Sequence, residues 1–251
     1  MKVFGRIKSK LKLIYTSPLT WQAIFGQVLF LTIYVYAGKI TTVSGYFDIL
    51  RKDLFLWLVC IPLLAVQHRE SIYSTSYSRI SRIGSRRGMI LEDFITLAVS
   101  TGLSACIVLS APLCFLLLRG VGRIGSELLS GFVFLWVRYL LLGLLVQYII
   151  YSLRYTFRNF QKRGGSICVL PFLLYFVFTS PMEILRIKWL YLPFLDFSAG
   201  GMNSFSLDGV VLWEAVLWDN LHFAVYLALE IWITAVWLSG RWEFFESEGF
   251  F

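Results

Sequence analysis

The chain of 251 residues is 58% apolar and only 15% charged, with a mean hydropathy of +0.72, against the roughly 25% charged residues of a soluble domain. That composition excludes an ordinary soluble fold and points to a bilayer. The formal charge of +8 is divided among short segments between apolar runs, an arrangement that argues against a nucleic-acid surface.

Aromatic residues, 18% of the chain, are spread along its whole length. This fits spanning helices with aromatic ends better than porin-like strands, whose polar and apolar residues alternate over about ten positions. The expected class is therefore an all-α integral membrane protein, one transmembrane domain over residues 1–251.

In chain order, Lys2, Arg6, Lys8, Lys10 and Lys12 precede a first apolar run at about 20–38. The run is too long for a signal peptide and lacks a small-x-small cleavage site, so it reads as a retained span. A second span is expected at 46–67, with Arg51, Lys52 and Asp53 at the interface. A polar loop at 68–93 follows, then spans at 94–118 and 131–152. The fifth, 166–180, contains Pro171 and reads as broken.

The connection 181–220 is too apolar for a solvated loop, and its stretches 184–191 and 210–218 flank Gly200 and Gly201. Two outer amphipathic or re-entrant helices account for this pattern. One long sixth helix from near Asp208 is the alternative, disfavoured because Asp219 and Asn220 would interrupt it. The sixth span is placed at 221–239.

Six spans with cytoplasmic termini put fifteen Lys and Arg residues inside: five before residue 20, five in 68–93, four in 153–165 and one after 239. Seven fall outside and Arg138 lies within a span, which satisfies the positive-inside rule. The expected location is a bacterial plasma membrane, crossed several times.

Chemistry-bearing motifs are scarce. The sequence has no phosphate loop, no H-E-x-x-H and no G-x-S-x-G. No catalytic residue and no metal ligand is assigned, and His68 and His222 read as ordinary interfacial residues. Cys60, Cys106, Cys114 and Cys168 sit in apolar runs without paired spacing and read as reduced packing residues. Arg138 and Glu230 are the ionisable residues inside spans; each is expected to face protein or water, as an ion pair or as a polar lining of a path.

In the loop 68–93, Tyr73, Tyr77, Ile80 and Gly84 recur at helical spacing, while Arg79 and Arg82 occupy other faces. A short amphipathic helix along the inner membrane surface is expected there. Gly84 and Gly88 bracket Arg86 and Arg87, which can fork onto phosphates or onto carboxylates of a partner.

The segment Arg82-Ile83-Gly84-Ser85-Arg86-Arg87, set between a Tyr/Ser-rich helix and a new span, resembles the R-x-G-S-R segment of permease subunits in the ABC-2 type ABC exporter family, especially small Gram-positive ones. Gly88 and Met89 stand where that family often has a Trp. The resemblance implies a coupling helix between spans 2 and 3 that docks on a separate cytosolic ABC ATPase through Tyr73, Tyr77, Arg79, Arg82, Arg86 and Arg87. Two permeases, identical or homologous, and two ATPases would then form the working unit. ATP and Mg would be bound by the ATPase alone, and an amphipathic substrate such as a peptide, toxin or lipid-like compound would be exported. Two other readings stand beside it: a membrane-embedded enzyme using Arg138, Glu230, Asp208, Glu214 and Asp219, or a passive membrane-interaction or immunity protein.

Overall fold

The computed structural model describes residues 2–37, 46, 59–68, 86–120, 126–156 and 213–238, and these are helical apart from short turns. The helices are α1 (Lys2–Thr16), α2 (Pro18–Ala37), α3 (Ile61–Gln67), α4 (Arg86–Leu118), α5 (Ser126–Thr156) and α6 (Trp213–Ile233), the last continued by a π-helical turn, Thr234–Leu238. Within them Pro18–Ala37, Arg87–Leu118 and Gly131–Leu153 are each long and apolar enough to cross a membrane. These cover the expected first, third and fourth spans. The expected fifth span lies outside the described residues.

α1 is an addition to the sequence reading. Ile7 and Ile14 turn inward while Lys8 and Lys12 stay exposed. The helix stops at Ser17 because a residue before proline is driven out of the helical region, whereas Pro18 suits the first turn of α2. The carbonyls left over at the end of α1 are then taken up. Thr20 Oγ1 donates to the Ile14 carbonyl at 2.6 Å, and Trp21 Nε1 donates to that of Tyr15 at 2.9 Å.

α2 is apolar all round but buries one stripe, Ile24, Gln27, Leu31 and Val35, and exposes Trp21, Phe25, Phe30 and Ile33. An exposed aromatic and aliphatic face on an uncharged helix is what a lipid-facing span requires. α3 covers the end of the expected second span, and Tyr46 from its start is buried, donating to the Leu109 carbonyl at 2.8 Å.

α4 and α5 form the centre. Gly102 of α4 lies against Trp136 and Leu140 of α5, Thr101 bonds Gln147, and Asp93 bonds Tyr151, so the two run antiparallel. They close on α3 at Gly143, where an added Cβ would stand 2.9 Å from Leu64 Cδ2 and 3.2 Å from Thr101 Cγ2. α4 ends at Leu118, and the turn after it contains Gly120, whose φ of +77° suits a residue without Cβ. Arg119 beside it stacks on Phe115 at 4.9 Å and on Tyr36 at 5.6 Å.

Leu227 of α6 joins the cluster of Leu144, Tyr148 and Tyr151, and seven residues on Thr234 reaches Ser152. α6 therefore lies along α5 in the same direction.

Three expectations are corrected. The third-span helix begins at Arg86, so Arg86, Arg87 and Gly88 form its first turn instead of a loop ahead of residue 94. The helix of the sixth span begins at Trp213 and continues through Asp219 and Asn220, so 213–220 is no separate outer helix. Asp and Asn are only weak helix formers, costing less than about 0.7 kcal/mol each, too little to break a long apolar helix. Of the described cysteines, Cys60 is buried as expected, whereas Cys106 and Cys114 are exposed on α4.

Candidate functional site

The polar chemistry gathers at one end of the bundle, where α1 and the start of α4 meet the ends of α5 and α6. α1 presents Arg6 and Lys10 four residues apart, hence on one side of the helix. α4 presents the neighbouring acids Glu92 and Asp93 at its second turn. Arg6 Nε stands 2.8 Å from Glu92 Oε2, and Lys10 Nζ is 2.5 Å from Glu92 Oε1 and 2.8 Å from Asp93 Oδ1. Both acids are buried, and Tyr151 of α5 donates to Asp93 Oδ2 at 3.0 Å. The cluster carries two positive and two negative charges, so the acids enter the interior compensated.

Deeper along α4, Thr96, Ser100 and Ser104 continue the polar stripe at four-residue spacing, and all are buried. Tyr15 of α1 donates to the Ser100 carbonyl at 3.1 Å. Gln67 of α3 donates to Ser104 at 2.7 Å and to Ser100 at 3.3 Å. His68 Nδ1 lies 3.0 Å from the Leu64 carbonyl and Nε2 lies 2.8 Å from Ser100 Oγ. A carbonyl only accepts, so Nδ1 carries the proton and Nε2 of the neutral ring accepts the serine hydroxyl. On the α5 side Gln147 donates to Thr101 at 3.1 Å, and Tyr139 bonds Gln27 of α2 through a short contact.

The predicted site residues fare unevenly. Tyr73, Tyr77, Arg79 and Arg82 lie outside the described residues. Arg86 opens α4, and Arg87 is exposed in the same turn, one and a half helical turns before Glu92. Arg138 is buried in α5, its guanidinium 5.7 Å over the ring of Phe134. Glu230 accepts from Ser152 at 2.8 Å, and Ser152 also meets Thr234 at 2.8 Å. Ser152 is fourteen residues beyond Arg138 on α5, about 21 Å along the helix, so Arg138 and Glu230 are not brought together.

His68 is corrected from an interfacial residue to a buried one. Sequence reading also passed over Glu92, Asp93, Arg6, Lys10 and Ser100. The available signal was the four-residue spacing of Arg6 with Lys10 and of Thr96, Ser100 and Ser104 inside an otherwise apolar run. Among the described residues no group of His, Cys, Asp and Glu is placed to hold a metal. No family profile, curated protein or solved structure matches the chain.

Proposed function

We propose that the chain is the permease subunit of an ABC-2 type exporter, driven by a separate cytosolic ATPase and moving an amphipathic substrate across the plasma membrane. The observation that carries the reading is the junction at Arg86. Arg86 and Arg87, which close the Arg82–Arg87 segment, open a 33-residue apolar helix, and the first turns of that helix are tied to α1 through Glu92 and Asp93. A push on residues 82–87 would thereby reach α1, α2 and α5 together, as a coupling segment requires. The sequence itself offers no nucleotide-binding motif, so the energy source belongs to a partner.

The six-span topology with both termini inside is part of the proposal. Its support is the parallel packing of α5 and α6. Parallel neighbours need a connection that returns along the bundle, and the 56 residues of 157–212 are enough for one further crossing with an outer loop. The membrane-enzyme reading is weakened, since Glu230 is engaged by Ser152 and lies far from Arg138.

Affinity purification in mild detergent tests the assignment. A nucleotide-binding ATPase is expected to accompany the wild-type chain, and Arg86→Glu with Arg87→Glu is expected to release it. Wild-type material without any ATPase would sink the exporter reading.

A further inference from the structure

α1 carries two stripes of opposite use. Arg6 and Lys10 face α4 and are neutralised by Glu92 and Asp93. Phe4, Lys8 and Lys12, spaced by four residues, form the other stripe, and all three are exposed, Phe4 at 83%. Among the described residues neither lysine has an ion pair. α1 descends beside α4 from Arg6 at Glu92 to Tyr15 at the deeper Ser100. Phe4 is therefore the outermost of the three, on the water side of both lysines and farthest from Trp21 at the start of the apolar α2. An occupant that uses the whole stripe must bring negative charge and an aromatic surface to it from the water side.

The chain itself contains such a segment. In a sequence of net charge +8, residues 239–251 hold Glu243, Glu246 and Glu248 against the single cation Arg241, interleaved with Phe244, Phe245, Phe250 and Phe251. The segment also starts in the right place. Thr234 meets Ser152, whose neighbour Tyr151 bonds Asp93, the partner of Lys10. From that level the helical chain runs on to Leu238, away from the deeper Ser100 and toward the level of Phe4. Thirteen residues extend to about 43 Å, against about 22 Å for the length of α1. We propose that the segment 239–251 lies along the outer stripe of α1, its glutamates on Lys8 and Lys12 and its Phe244–Phe245 pair against Phe4. Tethering favours this occupant over a separate acidic protein, because a short link gives an effective concentration on the order of millimolar, enough for individually weak contacts. The contact would clamp the end of α6 to α1, and it is independent of the exporter reading.

Zero-length carbodiimide cross-linking of the full chain in detergent, on an equal mixture of isotopically light and heavy chains, tests it. Peptide mass spectrometry should find amide links from Lys8 or Lys12 to Glu243, Glu246 or Glu248 within one chain. Cleavage after Arg241 by an arginine-specific protease gives a second readout, since protection follows the population of the closed form. Each exposed ion pair is worth up to about fivefold, so Lys8→Gln with Lys12→Gln should speed that cleavage by about two- to thirty-fold. Adding Glu246→Lys and Glu248→Lys to a chain with Lys8→Glu and Lys12→Glu should restore the slow rate. Arg119→Gln, at the other end of α4, should leave it unchanged. Links formed only with other lysines, or only between light and heavy chains, would overturn the proposal. So would a double-Gln variant cleaved less than about twofold faster, or equal acceleration in Arg119→Gln.

Discussion

Tyr151 donates its hydroxyl to Asp93 Oδ2 at 3.0 Å while Lys10 of α1 holds Oδ1 at 2.8 Å, so one carboxylate ties the end of α5 and the whole of α1 to α4. Glu92 beside it gathers Arg6 and Lys10. α1 thus reaches the bundle through charge, through the buried Ile7 and Ile14, and through Tyr15, which packs on the core and bonds the Ser100 carbonyl.

Removing one acid leaves partly buried cationic groups without compensation, whereas removing both partners of a pair does not. Glu92→Gln is therefore expected to lower stability in detergent by about 1 to 3 kcal/mol, below the value for a fully buried pair because Arg6 remains partly hydrated. A Lys10→Ala, Asp93→Ala double-mutant cycle should show coupling of about 0.5 to 3 kcal/mol. Additive thermal shifts in that cycle would show the contact to be idle.

Among the described glycines, Gly143 has the least room for a side chain. Gly143→Ala places a methyl 2.9 Å from Leu64 and 3.2 Å from Thr101, and overpacking of this kind costs about 1 to 3 kcal/mol. Leu64→Val in the same chain should recover part of the loss. Gly26→Ala is the contrast: its added Cβ meets Leu63 at an ordinary 3.5 Å, so its thermal midpoint should stay at or above that of wild type.

Ser100 is the shared partner of Gln67 and His68. Ser100→Ala strands the His68 Nε2 acceptor in the interior, a loss of about 1 to 3 kcal/mol. Ser110 is partly exposed, and among the described residues its hydroxyl bonds the Ile107 carbonyl alone, so Ser110→Ala should change stability by less than about 0.5 kcal/mol. A thermal scan in which the two variants coincide would remove the polar stripe from the folding argument.

Hydrophobic run length made α2, α4 and α5 legible, because an apolar helix of about 20 residues has few alternatives to a bilayer. Helix ends were less legible. Nothing local stops α4 from absorbing Arg86 and Arg87, since two charges at a helix start can reach water. The same reasoning applies to Asp219 and Asn220, which the sequence reading treated as a break and α6 passes through. The acid–base cluster was hidden for another reason. Arg6 and Glu92 are 86 positions apart, and charge counting by loop assigns such residues to topology before their pairing can be considered.

Arg138 and Glu230 show the same limit of counting along helices. Measured from the expected inner ends of their spans they differ by about 7 Å, within reach of an ion pair. Glu230 instead meets Ser152, fourteen residues past Arg138 on α5, about 21 Å away. A charge exchange, Arg138→Glu with Glu230→Arg, should therefore rescue neither single variant, and the Arg138/Glu230 cycle should be additive within about 0.5 kcal/mol. The Ser152/Glu230 cycle should instead show coupling of about 0.5 to 3 kcal/mol. Glu230→Gln keeps an acceptor for Ser152 and should be milder than Glu230→Leu, which removes that acceptor. Recovery of thermal stability in the charge-exchanged chain would mean that Arg138 and Glu230 act on each other after all.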